Sequence, residues 1–179
     1  MIRISGLLLL ICAGSVGAGG FIEDKYQGSQ FEYDFDADNK PWQEIQAQLP
    51  AAPKAGALRE FVVGGGGRHR YFLDPASLTS GEDGVVRYTL VVRAAGGAEN
   101  VNYEGMRCDT GERKIYAFGR GDGAWARNKY ARWERIEARR DNSYQKELFF
   151  HYFCTVDGAG NLELIRKAIE QGGIRRGGD

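Results

Sequence analysis

From Leu58 onward, apolar and polar residues alternate in short runs separated by glycine-bearing turns. "LREFVV" and "RYFLD" read as two strands joined by the flexible turn at residues 64–67, with Asp74-Pro75 ending the second. "VVRYTLVVRAA" is the strongest strand pattern in the chain, and the Asp83-Gly84 pair before it reads as a turn. Residues 100–108 and 113–118 make a hairpin around Asp109-Thr110-Gly111. A short edge strand is expected around residues 133–136. Consecutive strands with short turns specify an antiparallel sheet rather than βαβ units.

Helical spacing appears on either side of this block. In "PWQEIQAQLP", Pro41 suits a first helical position, Trp42, Ile45 and Leu49 share one face, and Pro50 stops the run, which predicts a short helix. In "NSYQKELFFHYFC", Tyr144, Leu148 and Tyr152 recur every four residues, with Asn142 or Ser143 as the cap. A second helix is predicted over residues 162–171, with Leu162, Ile165 and Ile169 on one stripe and Gly172-Gly173 as its stop. The expected fold class is α+β: an antiparallel sheet of five or six strands with the C-terminal helices packed on one face.

The N-terminus follows neither period. Arg3, the apolar run "ISGLLLLIC" and the small residues after it predict a signal peptide over residues 1–18, with Val16 and Ala18 before the cleavage point. The run falls short of the roughly 20 apolar residues that span a bilayer, so no stable membrane insertion is expected after cleavage. Ile11 stands where a lipobox requires a small residue, which favours a soluble periplasmic protein over a lipoprotein. Residues 19–40 read as an acidic, flexible leader, 41–172 as the folded domain and 173–179 as a flexible tail.

Cleavage would remove Cys12 and leave Cys108 and Cys154, a pair expected to oxidise in an exported chain. The alternatives are a free nucleophilic thiol or a metal site. Only His69 and His151 could assist, and His151 with Cys154 does not fill a zinc shell. Lys and Arg total 24 against 24 for Asp and Glu, so no global field directs the chain to nucleic acid.

The candidate chemistry is sparse. "DFDADN" (Asp34, Asp36, Asp38) opens like a calcium loop, but Asn39 and Ile45 stand where glycine and glutamate are needed. The glycine run at 64–67 lacks the Lys-Ser/Thr of a phosphate cradle. "RHR" (Arg68 to Arg70) reads as the wet end of a hairpin, and "RGD" (Arg120 to Asp122) as an exposed turn. No G-x-S-x-G, H-E-x-x-H or C-x-x-C occurs. The chain reads as a non-enzyme without cofactor or metal, a carboxylate-based hydrolase or small-ligand-binding domain being the alternative. Around Arg120, Trp125, Arg127, Tyr130, Arg132 and Trp133, aromatics interleave with arginine, the residue types of interface hot spots. The competing reading is that the tryptophans are core and the arginines solvated.

"WQEIQAQLP", "GVVRYTLVVRAAGGAENVNYEGMRC", "KIYAFGRGDGAW", "ARWERI" and "HYFC" together resemble the CNP1-like family. The family comprises exported proteins and lipoproteins, mainly of betaproteobacteria, without established catalytic residues. The resemblance fits pairing of Cys108 with Cys154. A neisserial branch of the family is associated with type IV pilus biogenesis, which admits a pilus-linked role without implying it. The chain is read as an exported envelope domain that acts by binding a protein partner.

Overall fold

In the computed structural model, the described residues are 41–64, 68–137 and 143–173. The expected signal peptide, the acidic leader with its Asp34–Asp36–Asp38 run, Asn142 and most of the expected tail lie outside them. The chain divides into units Met1–Pro41 and Trp42–Asp179, and the architecture below is that of the second.

Seven strands form one antiparallel sheet in the order β1 (Arg59–Phe61), β2 (Arg70–Ser80), β3 (Val85–Arg93), β4 (Glu99–Arg107), β5 (Glu112–Gly119) and β6 (Trp125–Arg127), with β7 (Glu134–Arg135) also on β5. Strand order follows chain order, as short turns between consecutive strands dictate. β6 was not expected from the sequence, because three residues are too few to show a period. β6 and β7 pair with opposite ends of β5, leaving its middle open. Asn128 fills that gap, its backbone N–H donating to the Tyr116 carbonyl (2.8 Å) and its side-chain amide to Ile115 (3.0 Å).

β2 departs from expectation. Asp74-Pro75 does not end it; the strand continues to Ser80 through a wide bulge, pairing Asp74 with Thr89 and then Thr79 with Arg87. Pro75 has no N–H for a ladder, so it is accommodated inside the bulge. The Ser77 hydroxyl stands in for the lost backbone partner, accepting from Thr89 N at 2.8 Å and donating to the Asp74 carbonyl.

Alternation along β3 sends Val86, Tyr88 and Leu90 to one sheet face, where the C-terminal segments cover them. There α1 (Tyr144–Leu148), capped by Ser143, widens into a π-helical turn over Phe149–Phe153, followed by the two-residue strands β8 (Cys154–Thr155) and β9 (Gly158–Ala159) and by α2 (Leu162–Gln171). Leu148, Tyr152, Phe153, Ile165 and Ile169 join Leu73, Val86, Tyr88 and Met106 in this core. Asn161 caps α2, and Gly172 ends it in the left-handed region at φ 77°. Cys108, just past β4, is disulfide-bonded to Cys154 with Cα atoms 5.4 Å apart, tying the β4–β5 hairpin to the end of the aromatic segment.

The predicted helix over "PWQEIQAQLP" does not form. Residues 42–54 run without regular secondary structure along the opposite sheet face, as a strap. The reason lies in Glu44. A helix would align Trp42 with Ile45 and leave Glu44 outside, whereas an extended backbone brings Trp42 and Glu44, two apart, onto the same side. Both engage the sheet, and Ile45 remains 50% exposed.

Candidate functional site

The strap-bearing face is the most elaborated polar surface among the described residues. Arg87 projects there from the first turn-proximal residues of β3 and forms a buried ion pair with Asp83 in the β2–β3 turn (Nη2 to Oδ2, 2.6 Å). The pair acts on one residue of the strap: Ile45 N–H donates to Asp83 Oδ2 at 2.9 Å, and Arg87 Nη2 donates to the Ile45 carbonyl at 2.7 Å. Burial pushes the Asp83 carboxyl up, but the Arg87 guanidinium and the N–H groups of Ile45 and Val85 outweigh it and hold the group below the usual carboxylate range.

Next to this fork sits an aromatic slot. The Trp42 ring lies under the Arg107 guanidinium, 3.8 Å from its centroid, and meets Trp133 edge to face at 5.9 Å. Its indole N–H donates to the Asp83 backbone carbonyl at 2.9 Å. Beyond it is a carboxylate socket: Glu44 accepts from Lys114 Nζ at 2.7 Å and from Trp133 Nε1 at 3.2 Å. Burial raises Glu44, yet Lys114, the Tyr116 hydroxyl and Trp133 together lower it on balance. Tyr116 reaches this socket by lying across β4 at Gly105, where a Cβ would fall 2.5 Å from its hydroxyl, so only glycine fits. Farther along, Trp125 Nε1 donates to the Pro50 carbonyl at 2.8 Å, and Ala47 and Leu49 pack with Tyr103, Tyr116 and Ala117.

The six residues of the sequence-derived surface divide in two. Trp125 and Trp133 are half-buried and hold the chain's own strap, whereas Arg120, Arg127, Tyr130 and Arg132 are exposed, Tyr130 at 87%. Arg132 pairs with Glu134 at 2.9 Å. Sequence reasoning missed Asp83, Arg87, Arg107, Lys114 and Glu44. The available signal was a charge at an inward position: the first arginine of "VVRYTLVVR", set among apolar residues, must be paired or costly.

A second missed group is Glu104, fully buried on the helix-covered face. It accepts from Tyr88 and Tyr144 hydroxyls at 2.9 Å each and from the Asn102 amide at 3.0 Å. Burial pushes its carboxyl up against these donors, and Tyr88 and Tyr144 are raised as well. With no exposed surface, Glu104 anchors α1 to the sheet and cannot meet a substrate. His151 is exposed, 3.9 Å from Glu147. A cleft of about 520 Å³ lies between β5, β7 and α1 and is lined by Arg113, Arg132, Glu134, Arg135, Ser143 and Gln145. No group of three His, Cys, Asp or Glu residues able to hold a metal exists among the described residues, and no helix there is long and apolar enough to cross a membrane.

These features define a disulfide-stapled α+β domain whose outer sheet face grips an extended peptide segment. The chain belongs to the CNP1-like family, which it matches over residues 37–168. No curated protein and no solved structure matches it.

Proposed function

We propose that this CNP1-like domain is an exported, non-catalytic protein-interaction module of the cell envelope. The single observation that carries the reading is the outer face, where side chains grip a main-chain segment by its N–H, its carbonyl, an indole and a carboxylate. Such equipment binds polypeptide and does no bond chemistry. The segment that supplies Trp125 and Trp133 to this face also presents Arg127, Tyr130 and Arg132 to solvent, an aromatic–arginine rim suited to a partner. The N-terminal run of signal-peptide type and the disulfide support an oxidising, periplasmic setting. A pilus-associated partner is one form of this reading, suggested by the family resemblance.

The test is crosslinking of the mature protein in its native envelope, with captured partners identified by mass spectrometry. Tyr130→Ala/Arg132→Ala is the matched control, since both residues are exposed and lie outside the core, and its fold is checked alongside. A specific partner lost in the double variant is expected. Equal capture by both forms, or none above background, counts against the module. The arginine-lined cleft favours a second reading, a site for a small anionic ligand, which predicts saturable heat of binding from a small-anion panel and loss of it in Arg113→Ala.

A further inference from the structure

The strap is bound to the sheet as a peptide ligand is bound to a receptor. Among the described residues no backbone–backbone hydrogen bond joins it to a strand; the grip is made by side chains of the sheet and its turns on the strap's main chain and on Trp42 and Glu44. The Asp83–Arg87 fork reads backbone of any sequence. The Arg107–Trp133 slot takes a flat aromatic ring with an N–H directed at a carbonyl, and cation–π contact favours tryptophan. The socket of Lys114, Trp133 Nε1 and Tyr116 requires an acid two residues further on, and Lys114, Arg107 and Arg87 would repel a base there. Together they spell Trp-x-Glu in extended form.

Two further observations point to exchange of the occupant. The strap is only partly covered, with Trp42 at 38% and Ile45 at 50% exposure, and it joins β1 through an exposed single turn at Ala55–Ala57, so it can leave without breaking a sheet hydrogen bond. Arg87 Nε, Thr89 Oγ1 and Arg107 Nε, three buried side-chain polar atoms without a well-aligned partner among the described residues, also lie on this face. The resident strap therefore under-uses the hydrogen-bonding capacity of its own site.

Resting on the interaction-module reading, we infer that this face recognises an extended Trp-x-Glu segment of a partner protein, and that the strap is a resident competitor in cis. Binding in trans peels the strap from Trp42 onward, so occupancy depends on the partner segment outcompeting a ligand held at the high local concentration of a tether.

The experiment opens the site in the full chain by placing a protease recognition sequence in the Ala55–Ala57 turn and cutting it after folding and oxidation. Fluorescent "PWQEIQAQLP" is then titrated by anisotropy. The wild-type peptide should exchange into the nicked protein, with affinity falling at least tenfold for peptides carrying Trp42→Ala or Glu44→Lys. Selection of random decapeptides on the same protein should enrich an aromatic two positions ahead of an acid. Equal affinity for the three peptides, or enrichment of an unrelated pattern, overturns the inference. If the cut chain does not hold its fold, the same titration uses uncut Ile45→Pro, whose strap lacks the N–H that Asp83 accepts; failure of the folded variant to bind overturns the inference equally. Peptide recognition without any partner in the envelope crosslinking would leave the recognition code standing and sink the module reading, while a captured partner without peptide recognition would do the reverse.

Discussion

Arg87 sits near the start of the strongest strand, 6% exposed at its side chain, against an Asp83 carboxylate exposed at 1%. A charge so placed is stable only while its partner remains. Arg87→Met leaves Asp83 buried without its cation, and the expected loss is about 3–5 kcal/mol of unfolding free energy in urea titrations. Strap amides should gain hydrogen-exchange rate in the same variant, because the Ile45 carbonyl loses its donor. Glu104 behaves in the opposite sense. Its folded-state carboxyl is raised, so its charged form is a burden at neutral pH that is relieved as pH falls toward the ordinary glutamate value of 4.5. Glu104→Gln should therefore compare most favourably with the wild type near pH 7.5, and the difference should move toward the wild type as pH falls to about 4.5, as read from paired urea midpoints. A difference independent of pH would mean that the acid is not raised.

At the scale of elements, the regular strands and α2 were legible because their period is set by one buried face. Leu162 to Gln171 needed only Asn161, an apolar stripe and Gly172. The strap and β2 were not legible for an identifiable reason. "PWQEIQAQLP" carries a helical spacing of apolar residues, but the deciding contacts belong to Glu44 and to the Ile45 backbone, and their partners lie 38, 42 and 70 residues away. Tertiary side-chain bonds outvoted local pattern. Asp74-Pro75 has the form of a strand terminator, and only the Ser77 hydroxyl, bonding where a ladder N–H and carbonyl would have met, lets β2 pass through. The candidate site was half legible: Trp125 and Trp133 were found from composition, but their role in holding the strap depends on Pro50 and Glu44. The disulfide was legible from cysteine count and expected compartment. Its 46-residue separation implies, by loop-closure entropy, about 4 kcal/mol lost in Cys108→Ala/Cys154→Ala, to be checked by guanidinium unfolding against the oxidised wild type.

For the whole molecule, the titrating groups act in sequence as pH drops. From neutrality toward about 4.5 the Glu104 burden eases and stability holds or rises. Asp83 and Glu44, whose folded carboxyls lie below their ordinary values of 3.8 and 4.5, stabilise the fold fully above those values and stop doing so as pH falls through their lowered ones. Unfolding midpoints from pH 7.5 to 2.5 should thus trace a plateau or shallow rise and then a steep acid limb, with Glu44→Gln making the limb shallower. A monotonic decline beginning at pH 7 would contradict this assignment of charges.

Both margins of the sheet are three residues long, β1 at one side and β6 at the other, and the stretch of β2 that reaches past β1 is the bulged one containing Pro75. Where β5 would lie bare between β6 and β7, Asn128 occupies its carbonyls. A foreign strand therefore finds no long, flat run of free amides on which to grow, and chains at high concentration, in a vial or in a crowded cell, have little template for stacking edge to edge into fibres.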